Sequence, residues 1–172
     1  MDLIKQIFDS GVVGCGGAGF PTHVKLKASP EILIINGAEC EPLLRTDRYL
    51  MIHEAEKYLG YPYVWGGSSP STSFDCSGFV SYVINHCGNG WSYGRLTANG
   101  WKNATARVQA NDVQPGDLVF FQGTYNTSGA SHVGIVVDPV NKIMIHCGNP
   151  IQYASYDTTY WRAHAYCYGR LP

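Results

Sequence analysis

Cys76 stands in the string Asp75-Cys76-Ser77-Gly78-Phe79-Val80-Ser81-Tyr82-Val83-Ile84, just after a polar Ser/Pro loop. Ser73 or Asp75 can cap a helix that starts here. Phe79/Val83 and Val80/Ile84 are apolar i,i+4 pairs that give this helix a core-facing side, and Gly88 after Cys87 stops it. Cys76 therefore falls in the first helical turn, where the helix dipole and unpaired N–H groups favour thiolate over thiol. The chemistry on offer is nucleophilic attack on a carbonyl. The plain alternative is a buried, inert cysteine, the commoner fate of this residue.

A nucleophilic thiol needs a base, and a base needs an orienting group. Ser131-His132-Val133-Gly134-Ile135-Val136-Val137 alternates like a strand, and Lys142-Ile143-Met144-Ile145-His146 follows it. Asp138-Pro139-Val140 reads as a short hairpin loop between them. Pairing Val137 with Asn141 sets Ile135 opposite Ile143 and Val133 opposite Ile145. The same register puts His132 directly opposite His146, on the other face. His132 is then the candidate base, with its tautomer and ring plane fixed by His146. The plain alternative is two solvent-facing histidines.

The surrounding elements follow from the same kind of pattern. Leu50, Ile52, Ala55 and Leu59 mark an apolar helical stripe, with Glu54, Glu56 and Lys57 on the polar side; Gly60 and Pro62 end it. Asp117-Leu118-Val119-Phe120-Phe121, after Pro115-Gly116, reads as a strand, and a last strand is expected within residues 163–168. Helices first and antiparallel strands afterwards make an α+β chain.

Composition narrows the function classes. The 172 residues allow one good core and little more. Lys and Arg number 12 against 13 Asp and Glu, with no basic run, so nucleic acid is not an expected partner. No window of about 18 apolar residues offers a transmembrane helix. Residues 1–10 carry Asp2 and Asp9 and lack an apolar stretch, so they do not read as a secretory signal. The cysteines Cys15, Cys40, Cys76, Cys87, Cys147 and Cys167 form no C-x-x-C pair, which argues against a structural zinc site. A disulfide among Cys87, Cys147 and Cys167 stays open, although framework spacing is absent; the plain reading of these three is small buried hydrophobes.

The chain falls into two unlike pieces. Gly14-Cys15-Gly16-Gly17-Ala18-Gly19 is a loop of the kind that lets backbone N–H groups approach a phosphate, although glycine clusters are more often plain turns. Ile32-Leu33-Ile34-Ile35 suits a strand buried on both faces. The string GGAGFPTHVKL followed by LIINGAECEP resembles the start of the flavin- and nucleotide-binding module in the C subunit of Rnf electron-transport complexes and in the related flavoprotein subunit of respiratory complex I. The likeness covers about the first 50 residues, and the crossover helices and further strands of such a sheet are missing. Residues 1–53 are therefore expected to be a truncated, non-autonomous leader, with the junction within the helix near residues 51–55 and the main domain at 54–172.

Five blocks in order resemble a second family. They are Tyr63-Val64-Trp65-Gly66-Gly67, Asp75 to Val80, Pro115 to Phe121, Ser131 to Val136, and Met144-Ile145-His146. Together they are similar to the NlpC family of cell-wall peptidases, including the peptidase domain of hydrolases encoded on conjugative elements of Gram-positive bacteria. The resemblance implies a papain-like α+β fold, with N-terminal helices packed on an antiparallel sheet after the Gly-rich leader. It implies a triad of Cys76, His132 and His146 and cleavage between D-γ-glutamate and the diamino acid of a peptidoglycan stem peptide. Substrate would bind near Tyr63. Asp75 and Ser77 would flank the nucleophile where some members hold a free L-Ala amine, and Ser131 would line the same groove. The backbone N–H of Cys76, helped by the Tyr63 hydroxyl, would hold the oxyanion.

No cofactor or metal is expected. The partner is the stem peptide, the location extracellular or in the cell wall, and the state monomeric or weakly self-associated through the leader. The plain alternative for Tyr63, Trp65 and Trp101 is ordinary core or rim aromatics. One departure is that Gly100, in Arg95-Leu96-Thr97-Ala98-Asn99-Gly100, stands where the family shows Gln. Two alternatives remain: a flavin-linked electron-transfer fragment, and a papain-like amidase or acyltransferase on a non-wall substrate.

Overall fold

The computed structural model describes residues 46–172. The readings on the Gly-rich string, the apolar run 32–35, Cys15 and Cys40 lie outside them. The described chain opens with α1 (Thr46–Glu56) and a small hairpin of β1 (Ser68–Ser69) and β2 (Ser73–Phe74). Then come α2 (Cys76–His86) and α3 (Ala98–Ala104). The strands β3 (Ala106–Val108), β4 (Leu118–Gln122), β5 (Ala130–Asp138), β6 (Ile143–Cys147) and β7 (Ile151–Ser155) follow, then α4 (Thr159–His164) and β8 (Ala165–Arg170). Six strands form one antiparallel sheet in the order β3-β8-β4-β5-β6-β7. The hairpin lies where the sequence reads as a plain polar loop, while α3, β3, β7 and α4 carried no expectation, being short or without a clear period.

Alternation along the central strands gives the sheet two covered faces. Leu118, Phe120, Val133, Ile135, Ile145 and Cys147 pack with Phe79, Val80, Val83 and Ile84 of α2. On the opposite face Val119, Phe121, Val136 and Met144 gather with Tyr156 and the half-buried Trp161 of α4. α1 presents Met51 and Ala55 to the larger core, both fully buried. Leu59, expected on its apolar stripe, is 41% exposed instead. The helix ends at Glu56 and the chain turns, so Tyr58 takes the inward position.

Two short-range motifs are explained by close backbone approach. Asp75 N–H donates to the Gly67 carbonyl at 2.9 Å. A Cβ on Gly78 would lie 2.0 Å from that carbonyl oxygen, so only glycine lets α2 start against the Gly66-Gly67 loop. The strand-leading Asp117 is fully buried. It accepts a two-pronged contact from Arg170, with Nε and Nη2 each at 2.8 Å, and its Oδ1 lies 3.8 Å from Nη1 of Arg48. One carboxylate thereby ties α1, β4 and the last strand.

The β5–β6 register differs from the expected one by two residues: Ile135 faces Ile145 and Gly134 faces His146. The turn is longer than the sequence reading allowed. Asp138 Oδ1 accepts from the Val140 and Asn141 N–H groups, each at 2.9 Å, and the ladder shifts between Val136 and Asp138. A slip of two keeps every side chain on its own face. His132 and His146 therefore still share a face, as diagonal neighbours rather than opposed ones. Gly134 makes room for this: a Cβ there would lie 3.2 Å from the His146 Cβ and 2.8 Å from Met144 Sδ.

Candidate active site

α2 sets Cys76 as its first residue. Asp75 is the N-cap, its Oδ1 accepting from Gly78 N–H at 2.7 Å. The β5–β6 ladder stops at the Gly134–His146 pair, and the thiol lies against the part of β5 beyond it. Cys76 Sγ is 4.0 Å from the Ser131 carbonyl oxygen. The backbone N–H groups of Val133 and Ser77 also point to the sulfur. The thiol is thus held against the backbone on both sides of His132.

His132 Nε2 and His146 Nδ1 are 2.9 Å apart, with ring centroids at 5.1 Å and planes at 77°. This hydrogen bond occupies Nε2 of His132 and leaves Nδ1 as the other nitrogen. Burial lowers His132 from the ordinary 6.5 to about 3, with the neighbouring His146 adding to the shift. Burial alone lowers His146 to about 4. Both rings are therefore neutral at ordinary pH.

The thiol does not follow the expectation of a depressed pKa. Desolvation comes first and the Asp75 carboxylate second; together they push Cys76 up to about 11, against the opposing N–H groups and Arg95. The helix terminus is present, but at 6% exposure the cost of burying a charge outweighs it. The resting pair is thiol and imidazole.

Tyr63, Asp75 and Ser77 gather around this thiol. Tyr63 is bridged to Phe74, and its phenol is raised by burial and then by the charges at Cys76 and Asp75, so it remains a donor. Asp75 Oδ1 takes Gly78 N–H and the Ser77 hydroxyl at 3.1 Å. Its Oδ2 takes Gly66 N–H at 3.1 Å and Arg95 Nη2 at 2.6 Å. Four donors fill the four lone-pair directions of the carboxylate. Ser131 is placed otherwise than as a groove-lining hydroxyl. It is 1% exposed, and its Oγ lies 2.7 Å from Thr124 Oγ1 and accepts from Thr124 N–H at 3.0 Å, so it fastens the loop between β4 and β5.

Several side chains near the site had no place among the candidates. Arg95 joins Asp75 and Ser77, the latter at 3.0 Å. Asn99, next to the departing Gly100, accepts from Ala130 N–H at 3.1 Å and supplies a carboxamide at the start of β5. Tyr125 packs on Trp65 at 5.3 Å, and both are exposed; Trp101 is fully buried. Trp161 lies against both histidines. Loop and short-helix residues of this kind carry no periodic signal. Only Arg95 carried a hint, because the family shows an Arg in that stretch a few residues before the Gln that Gly100 replaces. Cys87, Cys147 and Cys167 are free thiols, so no disulfide joins them.

A thiol at a helix start, set against a histidine-bearing antiparallel sheet, defines a papain-like protein. The chain belongs to the NlpC/P60 family, which it matches over residues 60–170. Residues 7–60 match the Nuo51 FMN-binding domain. Among curated relatives, the bifunctional muramidase/DL-endopeptidase CwlT of Bacillus subtilis is 39% identical over 128 residues, covering 70% of this chain and 36% of that protein. The chain thus spans little more than a third of that relative. An NLP/P60-family protein from Staphylococcus aureus, described as similar to lipoprotein, superposes with a TM-score of 0.67 at 32% identity, over 88% of this chain and 49% of that one. The NlpC/p60 domain of the peptidoglycan hydrolase SagA superposes at 0.58 with 30% identity, over 72% of this chain and 98% of that domain.

Proposed function

We propose that the chain is a cysteine peptidase that hydrolyses peptidoglycan outside the cell, cutting stem peptides between D-γ-glutamate and the diamino acid. The observation that carries this is the Cys76 thiol held against the backbone on either side of His132, whose ring is hydrogen-bonded to His146 at 2.9 Å. The relative named as a DL-endopeptidase supports the choice of bond. Residues 54–172 would carry the catalytic groups, α1 would complete their core through Arg48 and Met51, and the residues before α1 would be an accessory leader.

In this reading His132 donates through Nε2–H to His146, which leaves the Nδ1 lone pair to accept the thiol proton. As Sγ attacks the D-γ-glutamyl carbonyl, the thiol proton moves to Nδ1, the S–C bond forms and the carbonyl electron pair moves to oxygen. The Cys76 N–H and the Tyr63 hydroxyl, kept protonated, hold that oxyanion. The oxyanion collapses, the C–N bond breaks, and the imidazolium gives its proton to the leaving amine. Water, deprotonated by His132, then attacks the thioester; the S–C bond breaks and the thiol is restored.

Digestion of purified peptidoglycan, followed by mass analysis of the fragments, tests this reading. The expected products end in D-glutamate and begin with the diamino acid, and Cys76→Ala releases none. Fragments from any other bond, or activity kept in Cys76→Ala, would overturn it.

The match of residues 7–60 to an FMN-binding domain favours a flavin-linked second reading. Of that match the structure describes residues 46–60. Their buried side chains Met51, Ala55 and Tyr58 pack into the core, Tyr58 against Phe74 at 5.3 Å, rather than framing a ligand. Visible flavin absorbance in the purified full chain would support the second reading; a colourless protein removes it.

A further inference from the structure

We propose, building on the peptidase reading, that Trp161 is a positioning residue: its indole caps the His132–His146 pair, fixing both ring planes and keeping water from them. The indole centroid is 5.1 Å from His132 with planes at 31°, and 5.4 Å from His146 with planes at 89°. The two imidazoles stand at 77° to each other. The indole thus fills the angle between them, lying over one ring and meeting the other edge-on. Phe121, paired directly with His132 across the strands, packs beside both rings, 6.1 Å from His132 and 4.3 Å from Trp161.

α4 is built to hold this residue. The Thr158 hydroxyl caps the helix by accepting from the N–H of Trp161 itself, at 3.2 Å. β8 starts at Ala165, which pairs with Phe121, so the short helix is anchored next to the strand it covers.

The histidine pair needs such a cover for a chemical reason. Its orienting group is a neutral imidazole, with no charge to hold His132 in place. Two imidazolium rings are donors only, so protonation of both would abolish the hydrogen bond that orients the base. Limiting water at the pair, where His146 is buried and His132 half-buried, favours the neutral rings, and His132 then has a lone pair to accept the thiol proton. The groups that bear on the pair are few and identifiable. Cys76 lies on α2. Gln152 on β7, directly opposite His146, is uncharged. Phe121, Val136 and Met144 supply apolar contacts on the same face. On α4 itself Arg162 is exposed and lies 3.6 Å from Asp157, and His164 bonds the Tyr160 carbonyl at 2.8 Å.

Trp161→Phe, Trp161→Leu and Trp161→Ala in the full chain test the role. Histidine titration by NMR in the resting protein is read alongside kcat and KM on a disaccharide stem peptide. Leucine and alanine should lower kcat about ten- to a hundredfold while KM stays within about twofold, and phenylalanine should restore most of the rate. In the same two variants the His132 and His146 resonances should titrate nearer the ordinary imidazole range, and the acid limb of kcat should move up with them. A folded leucine or alanine variant whose histidines titrate as in the wild type overturns the proposal, as does a loss confined to KM. If alanine does not fold, the leucine–phenylalanine contrast decides. If the wild type cleaves no peptidoglycan, the peptidase reading falls, and the NMR titration still decides what Trp161 does.

Discussion

At the scale of single residues, burial rather than the helix terminus sets the reactivity of Cys76. A thiol pushed up to about 11 exists as thiolate only in small part at neutral pH. Alkylation of Cys76 by iodoacetamide should therefore be slow at pH 7 and climb steadily above pH 9. A rate that is flat from pH 5 to 9 would instead reveal a resting thiolate–imidazolium pair. In the proposed mechanism the two histidines divide the work unequally. His132→Ala removes the proton carrier and should cost roughly 10²–10⁴ in rate. His146→Ala should cost less, and His146→Asn or Gln should recover part of the loss, because either still bonds the ring. Equal and total losses with no recovery, measured on the same stem peptide, would assign the roles differently.

Burial of the pair also links stability to pH. The unfolded chain protonates both histidines near 6.5, while the folded chain resists until about 4 and about 3. Between these values the unfolded state binds more protons, so stability is complete above 6.5 and falls as pH drops through this window. Each histidine contributes up to about 1.4 kcal/mol per pH unit. Urea melts at pH 7, 6 and 5 should show this slope, and a double His132→Asn/His146→Asn variant should flatten it. Cys76, His132 and His146 are legible in the sequence because each lies in a short string with a clear period. The thiol's pKa is not, because desolvation arises from β5, Tyr63 and Asp75 closing around it.

At the scale of elements, the helix carrying Cys76 and the central strands follow from i,i+4 and alternating patterns. What the patterns miss is where elements stop. The stripe through Leu59 overran α1, and the hairpin register moved by two because Asp138 caps its own turn. Both errors lie in turn chemistry: backbone turn bonds follow α1, and one side-chain acceptor, Asp138, closes the hairpin. Asp117 shows the complementary case: it reads as the first residue of a strand and is in fact a buried anchor. Asp117→Ala would leave Arg170 and Arg48 without the carboxylate that they share. The expected cost is about 3–5 kcal/mol, seen as a lowered urea midpoint with an unchanged slope. A loss under about 1 kcal/mol would mean that the two arginines find other partners.

At the scale of the molecule, the place where the NlpC/P60 domain begins can be argued from α1. Arg48 Nη1 donates to Gln114 at 2.6 Å and lies 3.8 Å from buried Asp117; Met51 and Ala55 are in the core. The helix therefore belongs with the sheet, although the family match starts only at residue 60. We expect a chain lacking residues 1–45 but keeping α1 to fold and to cut muropeptides within about twofold of the full chain's rate. Removal of residues 1–58 should instead expose the apolar surface that Met51, Ala55 and Tyr58 cover, and give aggregation or loss of cooperative unfolding. Ile32-Leu33-Ile34-Ile35 is an apolar run that needs covering, so the shorter deletion should alter solubility or self-association before it alters chemistry. Size-exclusion and turnover measurements on the three chains, with one muropeptide, separate these outcomes. A chain lacking residues 1–45 that folds and yet loses turnover would make the leader part of the active site and overturn the division of the chain into leader and enzyme.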